Sequence, residues 1–237
     1  MEHLKFKHPF TAVVAGPTSC GKTSLVRGIL GHFKCTTTIA NENLFVLWCY
    51  GQWQNCYEIQ VDDSVEIEYY EGVPALALLE EKRPTIVVLD DLMFEISKDM
   101  RVAEMFTTHS HHLGFSVFFL TQNITSKGRG IVEVNRNTKY LILFKNPRDG
   151  HAVNTVGRQV MNDNKRHFRE VFADATKSPY GYLIIDCHSE TPREFLLKTN
   201  IIGGDGLTAD IYSETKADVQ KLKTLFGASG TSDSYSQ

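Results

Sequence analysis

The residues with the clearest chemical potential form a glycine-rich segment near the start of the chain. Residues 16–23 are Gly-Pro-Thr-Ser-Cys-Gly-Lys-Thr, which is the complete P-loop pattern G-x-x-x-x-G-K-[ST]. Glycines let backbone N–H groups close around phosphates, the lysine reaches the β/γ oxygens, and the last hydroxyl can bind Mg²⁺. We therefore predict ATP and Mg²⁺ as cofactors. The predicted nucleotide-binding residues are Gly16, Pro17, Thr18, Ser19, Cys20, Gly21, Lys22, Thr23 and Ser24.

The sequence around this segment supports the phosphate-binding interpretation. A short glycine-and-lysine match can also occur in an ordinary turn. Here an apolar run at 11–15 precedes the segment and an amphipathic stretch at 24–30 follows it. A strand, a loop and a helix in this order place the phosphates at a helix N-terminus, where anions are stabilised.

A second candidate segment, at 85–92, has the form of a Walker B strand. Its apolar residues deliver two adjacent carboxylates, Asp90 and Asp91, at the carboxyl end. Ligands of a parallel sheet gather at that end of the strands, so Asp90 is predicted to meet the Mg²⁺ held by Thr23. Asp91 would then orient or deprotonate the attacking water. The alternative is a pair of carboxylates that cap the following helix.

A third candidate segment, at 115–123, is an apolar strand that ends in two amides, Gln122 and Asn123. We predict that Gln122 acts as a sensor of the γ-phosphate. The alternative is a simple strand exit that contains an asparagine.

Two other groups of residues suggest binding chemistry less strongly. His109 and His112 are three residues apart and could share a metal ion, but no Glu or Cys stands at the spacing of known zinc motifs. The aromatic residues near one strand end could stack on adenine, although such residues more often pack a core or a subunit interface. These aromatic residues are Trp48, Tyr50, Trp53 and Tyr57.

The remaining pattern alternates strands with helices, which predicts an α/β fold with a mainly parallel sheet. Further strands are expected at 43–50, 65–70 and 140–144, with a C-terminal hairpin from 180–186 and 195–200. Helices are expected at 74–79, 97–112, 152–161 and 165–175, and a charged helix at 214–226. We predict an N-terminal extension at 1–9, an ATPase domain at 10–202, and a C-terminal helix with a flexible, disordered tail at 203–237.

Length and composition limit the classes of protein to be considered. The chain has 237 residues, 42% of them hydrophobic, which suits one substantial domain. Its net charge of −3 gives no bulk signal of nucleic-acid binding, although a pore loop could confine the basic groups. Five cysteines without C-x-x-C spacing argue against a zinc site or disulfide framework. With neither a membrane-spanning run nor a signal peptide evident, we expect a soluble, intracellular protein.

Taken together, the segments resemble those of a known family. The similarity rests on residues 16–23, 90–93, 110–112, 119–123, 143–149 and 174–182. In these segments the chain resembles the genome-packaging ATPases of the FtsK–HerA superfamily, in the poxvirus-like branch that includes Polinton/Maverick elements and adintoviruses. The resemblance implies a RecA-like P-loop NTPase core, and it assigns Lys22, Thr23, Asp90, Asp91 and Gln122 the roles given above. The superfamily usually has Glu where this chain has Asp91, so how directly this shorter side chain reaches water is left open.

The resemblance also implies partners and a location. Such motors form a homo-oligomeric ring, with six subunits as the expected number, and pump double-stranded DNA into a preformed capsid. Capsid vertex proteins are the other expected partners. The expected location is a virus assembly site in the nucleus or cytoplasm, or the virion. A neighbouring subunit supplies an arginine to the γ-phosphate, and Arg148 and Arg136 are the candidates.

A translocating ring needs mobile positive charge near its γ-phosphate sensor. The loop at 125–130 contains Lys127 and Arg129, with Gly128 and Gly130 to supply mobility, and we predict that these two basic residues contact DNA phosphates. The alternative is an ordinary solvated basic loop. Two other functions remain open: a nucleotide-gated scaffold at the capsid vertex, against which Asp90 and Asp91 argue, and a small-molecule kinase, for which an arginine-rich lid is not evident.

Overall fold

The computed structural model describes residues 2–58, 60–92, 99–124, 128–203 and 206–213. Within this part of the chain, nine strands form one sheet and two short strands, β9 (Ile202–Gly203) and β10 (Gly206–Leu207), form another. The strands of the main sheet are β1 (Thr11–Ala15), β2 (Leu44–Tyr50), β3 (Val65–Glu71), β4 (Ile86–Asp90), β5 (Ser116–Thr121), β6 (Tyr140–Phe144), β7 (Tyr182–Asp186), β8 (Leu197–Thr199) and β11 (Asp210–Tyr212).

The strand order of the main sheet is β3-β2-β4-β5-β1-β6-β7-β8-β11. All pairings from β3 to β6 are parallel, and those from β6 to β11 are antiparallel. The predicted mainly parallel α/β sheet is therefore confirmed, as is the closing hairpin of β7 and β8. The charged helix and the tail predicted after residue 213 lie outside the described residues.

The register brings the ends of the central strands level with one another. Ala15 at the end of β1 pairs with Thr121 at the end of β5 and with Leu143 in β6. Asp90 at the end of β4 pairs with Leu120 of β5. The ends of β1, β4, β5 and β6 thus form one edge of the sheet, which we call the carboxyl edge.

Helices cover both faces of the sheet. They are α1 (Lys22–Gly31), α2 (Phe33–Thr36), α3 (Leu76–Lys82), α4, α5 (Arg129–Arg136), α6 (Gly150–Val160) and α7 (Lys165–Ala175). Helix α4 consists of Arg101–Glu104, a π-helical turn at Met105–His109, and Ser110–Leu113. Side-chain caps start two of these helices: Asp149 accepts from the Ala152 N–H, and Asn164 accepts from the His167 N–H. No helix in the described ranges is long and apolar enough to cross a membrane.

The core has two sides because successive strand residues point to opposite faces. On one side, Val14 and its neighbours pack against α1 and the N-terminal segment, whose Phe6 ring contacts those of Phe118 and Tyr140. On the other side, the strands pack against α3, α4 and α5, and further along against α6 and α7. Every residue of β1 is buried, as expected for a central strand covered on both faces.

Two features differ from the sequence prediction. Helix α5 begins at Arg129, so Arg129 and Gly130 are helical rather than part of a loop, and the backbone of Gly130 is buried. Residues 125–127 of that predicted loop, including Lys127, lie outside the described residues. At the other end, β11 pairs with β8, so the main sheet extends to Tyr212, past the domain boundary predicted at residue 202.

Candidate nucleotide site

A cavity of about 760 Å³ opens at the carboxyl edge of the sheet. Its volume lies in the range that accommodates small ligands and cofactors, about 300–1,000 Å³. The walls come from the predicted phosphate loop, the start of α1, and residues at or just beyond the ends of β4, β5 and β6. They include Lys22, Thr23, Asp90, Asp91, Gln122 and Tyr180. The structure therefore brings together the separate candidate segments of the sequence.

The phosphate loop leaves β1 and passes directly into α1. Gly21 has a left-handed backbone with φ of 99°, which glycine adopts without steric cost, and α1 begins at the next residue. The Lys22 ammonium donates to the carbonyls of Gly16 and Pro17, at 2.8 and 2.9 Å. These bonds hold the positive charge across the loop, beside the backbone that would surround phosphate oxygens.

Not all of the predicted nucleotide-binding residues face the cavity. Thr18, Ser19 and the segment from Gly21 to Ser24 line it. Gly16 instead packs behind the loop, where an added Cβ would lie 2.6 Å from the Cβ of Phe144 and 2.7 Å from the Cys20 sulfur. Burial raises the pKa of the Cys20 thiol, while the charge of Lys22 opposes that rise, and the side chain packs against the core.

Thr23 and Asp90, the two residues predicted to hold a cation, are hydrogen-bonded to each other, and a third residue joins them. The Thr23 hydroxyl donates to Oδ2 of Asp90 at 3.1 Å, and the Tyr57 hydroxyl donates to the same oxygen at 2.9 Å. Asp90 is only 3% exposed. Burial raises the pKa of this carboxyl group, while the donors Tyr57 and Thr23 and the charge of Lys22 oppose that rise. A hydroxyl and a carboxylate side by side fit a hard divalent cation, which prefers oxygen ligands.

Asp91 occupies a strained turn beside Asp90. Its φ of 57° is unusual for a residue with a side chain, and the side chain is exposed to the cavity. The turn packs against Gly51, where an added Cβ would lie 2.4 Å from the Asp91 carbonyl oxygen. Backbone strain of this kind, about 1–3 kcal/mol, is characteristic of functional sites. The turn places Asp91 at the wall of the cavity.

Gln122 lies on the same cavity, one residue after β5. The carbonyl of the preceding residue, Thr121, accepts from the Gly16 N–H at 3.1 Å. The end of β5 is therefore hydrogen-bonded to the first residue of the phosphate loop.

The two candidate arginines lie at opposite ends of β6. Arg148 is exposed and follows β6, on the carboxyl edge, in a turn where its N–H donates to Asn146 Oδ1. Arg136 is exposed in the last turn of α5 and forms an ion pair with Glu133 at 3.2 Å. The carbonyl of the next residue, Asn137, accepts from the hydroxyl of Thr11 at the start of β1. Arg136 is therefore at the edge of the sheet opposite the cavity.

The predicted aromatic and histidine candidates do not line the cavity. Trp48 and Tyr57 are buried, with ring centroids 5.5 Å apart, and Tyr57 stacks on Tyr69 at 5.3 Å. The packing interpretation of these rings therefore agrees with the structure. Among the described residues, which include His109 and His112, no group of three or more His, Cys, Asp or Glu side chains is placed to hold a metal ion.

Sequence reasoning missed two features of the site. It considered Tyr57 for stacking or packing, whereas the structure shows its hydroxyl on Asp90. It also gave no role to Phe144, Tyr180 and Tyr182, which line the cavity. Tyr180 and Tyr182 could be assigned to the cavity only if β7 were known to be antiparallel. An antiparallel strand begins at the carboxyl edge and therefore brings its first residues to the cavity.

Comparison with known proteins supports the fold assignment. No protein-family model and no curated protein matches the sequence. Among solved structures, the genome packaging NTPase B204 from Sulfolobus turreted icosahedral virus 2, in complex with sulfate, has a TM-score of 0.50 at 14% identity. The similarity covers 81% of this chain and 95% of B204. The present chain therefore has the RecA-like P-loop NTPase fold.

Two further structures of B204 are similar, the AMPPCP complex at 13% identity and the ATP-gammaS complex at 14%. The complex with AMPPCP has a TM-score of 0.49 and covers 81% of this chain and 96% of B204. The complex with ATP-gammaS has a TM-score of 0.47 and covers 84% of this chain and 98% of B204.

Proposed function

We propose that this protein is a magnesium-dependent ATP hydrolase that drives double-stranded DNA into a preformed capsid. The observation that carries the proposal is the bond between Thr23 and Asp90 under a complete phosphate loop. Asp91 and Gln122 open onto the same cavity. This arrangement contains a phosphate cradle, a cation site, a carboxylate for water and a γ-phosphate sensor, which together suffice for phosphoryl transfer to water.

The proposed reaction assigns one role to each residue. Backbone N–H groups of the loop and the Lys22 ammonium bind the phosphates, while Thr23 and Asp90 hold the cation. When bound, Mg²⁺ supplies charge neutralisation at the β/γ oxygens. Asp91 orients a water whose oxygen bonds to the γ-phosphorus as the bond from that phosphorus to the β,γ-bridging oxygen breaks. Gln122 contacts the γ-phosphate and responds to its release.

The DNA-packaging part of the proposal has separate support. The sequence segments described above resemble those of genome-packaging ATPases of the FtsK–HerA superfamily. The structure with the same fold, B204, is a genome packaging NTPase. We propose a homo-oligomeric ring, in which Arg148 of one subunit reaches the γ-phosphate of the next. Its exposure and its position on the carboxyl edge suit this role.

A steady-state ATPase assay with and without double-stranded DNA tests the function. A motor hydrolyses ATP slowly alone and faster with DNA of any sequence. Tight ATP binding without turnover in either condition would instead favour a capsid-vertex scaffold. Turnover that DNA leaves unchanged and that a small acceptor molecule increases would favour a kinase. Lys22→Ala is the control, because it removes a phosphate-binding charge.

We propose that Lys127 and Arg129 form part of the DNA grip. Arg129 is exposed at the first position of α5, which supports this role, and Lys127 lies outside the described residues. The double replacement Lys127→Ala with Arg129→Ala is expected to preserve basal ATPase and remove its stimulation by DNA. It should also make the slope of the logarithm of the DNA-binding constant against the logarithm of the salt concentration shallower by roughly one to two units. The matched control is Arg158→Ala, an exposed arginine on α6. An unchanged slope would show that other residues contact DNA. Lys165 and Arg166 would then be the next candidates.

A further inference from the structure

We infer that Tyr180 is the platform on which the nucleotide base stacks. The inference rests on the proposed function, because it requires the triphosphate to bind at the phosphate loop. It concerns a different part of the ligand, however, since none of the roles proposed above involves the base. Three observations support it: the exposure of the Tyr180 ring, its position beside Gly21 and Gly181, and the order of the strands.

The strand order fixes the direction in which a bound nucleotide extends. The groups for the cation and γ-phosphate, Asp90 and Gln122, follow β4 and β5, which lie on one side of β1. The base must then lie toward the other side of the loop, where β6 and β7 are found. The cavity wall on that side contains the aromatic residues Phe144, Tyr180 and Tyr182.

Of these three rings, Tyr180 is the one that is open to a ligand. Phe144 is 4% exposed and Tyr182 is 9% exposed, whereas Tyr180 is 71% exposed. The Tyr180 ring also touches the phosphate loop, because a Cβ added to Gly21 would lie 3.2 Å from its Cδ1. The ring therefore lies beside the loop while most of its surface faces solvent and the cavity.

The backbone holds Tyr180 in this position at an energetic cost. Its φ is 63°, in the left-handed region that residues with side chains rarely adopt. The next residue, Gly181, donates its N–H to the Ser178 carbonyl at 3.0 Å, and a Cβ added to Gly181 would lie 2.6 Å from the Ala175 carbonyl oxygen. The close packing of Gly181 against the end of α7 fixes the turn. An exposed aromatic ring on a strained, closely packed turn gains little from burial, and a binding role accounts for it.

Stacking on an aromatic ring suits every nucleobase, because every base has a π-face. It is worth about 1–3 kcal/mol per base in alanine-substitution measurements, which corresponds to about 5- to 150-fold in affinity. The site is therefore expected to distinguish nucleoside triphosphates from inorganic tripolyphosphate, with the ring contributing to ATP and GTP alike.

The test compares dissociation constants of ATP, GTP and inorganic tripolyphosphate for the wild type, Tyr180→Phe and Tyr180→Ala. Tyr180→Ala is expected to weaken ATP and GTP by about 5- to 150-fold and to change tripolyphosphate less than about twofold. Tyr180→Phe keeps the ring and should retain wild-type affinities. Unchanged tripolyphosphate binding also shows that the variant is folded. Trp53→Ala, which removes another exposed aromatic ring, is the matched control, and with all constants measured in the absence of Mg²⁺ it should change none of the three.

The outcomes separate this inference from the proposed function. If the wild type binds ATP and Tyr180→Ala binds it equally well, the base platform is wrong and the phosphate site stands. An equal loss for ATP and tripolyphosphate would also overturn the inference, because Tyr180 would then act through the loop alone. A selective loss of ATP and GTP affinity in Trp53→Ala would instead place the base at the aromatic cluster near the end of β2. This cluster consists of Trp48, Tyr50, Trp53 and Tyr57. A wild type that binds neither ATP nor GTP would overturn the proposed function along with the platform.

Discussion

The Tyr57 hydroxyl donates to Oδ2 of Asp90 at 2.9 Å. Thr23 donates to the same oxygen, so the carboxylate is held by two different parts of the chain. Tyr57 is 3% exposed and packs against Trp53 and Tyr69, which leaves its hydroxyl little freedom to turn away. The two bonds together restrict the position of the Asp90 carboxylate.

Replacing Tyr57 by phenylalanine should weaken the use of Mg²⁺. The ring packing is kept, and only the donor to Asp90 is removed. Outer partners of metal-binding groups typically contribute about 10–100-fold to metal affinity or activity. We expect the Mg²⁺ concentration for half-maximal ATPase to rise about tenfold, with ATP affinity in the absence of Mg²⁺ nearly unchanged.

The control for this prediction is Tyr69→Phe. The Tyr69 hydroxyl donates to the Tyr57 carbonyl at 2.9 Å and accepts from Arg27, but it makes no bond to Asp90. If both variants shift the Mg²⁺ dependence equally, the effect comes from the aromatic cluster as a whole and not from the bond to Asp90.

Substitutions at Lys22 and at Asp91 should affect different steps, ATP binding in the first case and ATP turnover in the second. Lys22→Ala removes the charge proposed to contact phosphate, so tight ATP binding should be lost. Asp91→Asn keeps the size of the side chain and removes the carboxylate proposed to orient water, so binding should persist while turnover falls at least tenfold. Equilibrium binding and single-turnover hydrolysis measure the two effects. Near-normal turnover in Asp91→Asn would transfer the catalytic role to another carboxylate.

Mixing subunits that carry different substitutions should identify the arginine that, in the proposed ring, one subunit supplies to the next. Subunits with Arg148→Ala and subunits with Asp91→Asn are each expected to be inactive. Mixing them should restore part of the ATPase, because some interfaces then contain both intact groups. The same mixture made with Arg136→Ala in place of Arg148→Ala tests the other candidate. Recovery confined to the Arg136 mixture would reassign the arginine, despite its position at the opposite edge of the sheet.

The stability of the protein should depend on pH through His8. Its Nδ1 lies 2.7 Å from the Ser116 hydroxyl, and burial lowers the pKa of this imidazole below the ordinary value of 6.5. The unfolded chain therefore takes up a proton more readily than the folded one. Stability is lost as pH falls from about 6.5 through the lower folded pKa, and it returns as pH rises.

Urea unfolding between pH 5 and pH 7.5 measures this dependence. His8→Gln, which does not titrate there, should show a shallower change of the urea midpoint with pH than the wild type. His112→Gln replaces an exposed histidine and serves as the control. A wild-type slope in His8→Gln would assign the dependence to other histidines, of which His188 also has a burial-lowered pKa.

The parts of the site that the sequence predicted are those fixed by local rules. Lys22 and Thr23 belong to one continuous motif. The approach of Asp90 to Thr23 follows from the general rule that parallel strands end at a common edge. Tyr57 could not be assigned in this way, because it reaches Asp90 from a 3₁₀ turn, Asn55–Glu58, whose side-chain directions no periodicity predicts. Tyr180 required the direction of β7 to be known.

The missed elements have similar causes. Helix α5 is short, and Ile131 and Val134 are the buried apolar residues that mark its inner face. The glycines and basic residues before them are typical of a loop, and packing against the core outweighed this local preference. Strand β11 has three residues, and its place depends on pairing with β8, which lies well before it in the chain. A single window of sequence contains no record of such a partner.

Strand β3 is the last strand of the main sheet on its parallel side, and in the described chain it pairs with β2 alone. Glu66 and Glu71 are exposed on it, and Glu68 pairs with Lys82. A second copy that added to this border would bring carboxylates against carboxylates. The border therefore resists open-ended, fibre-like growth of the sheet.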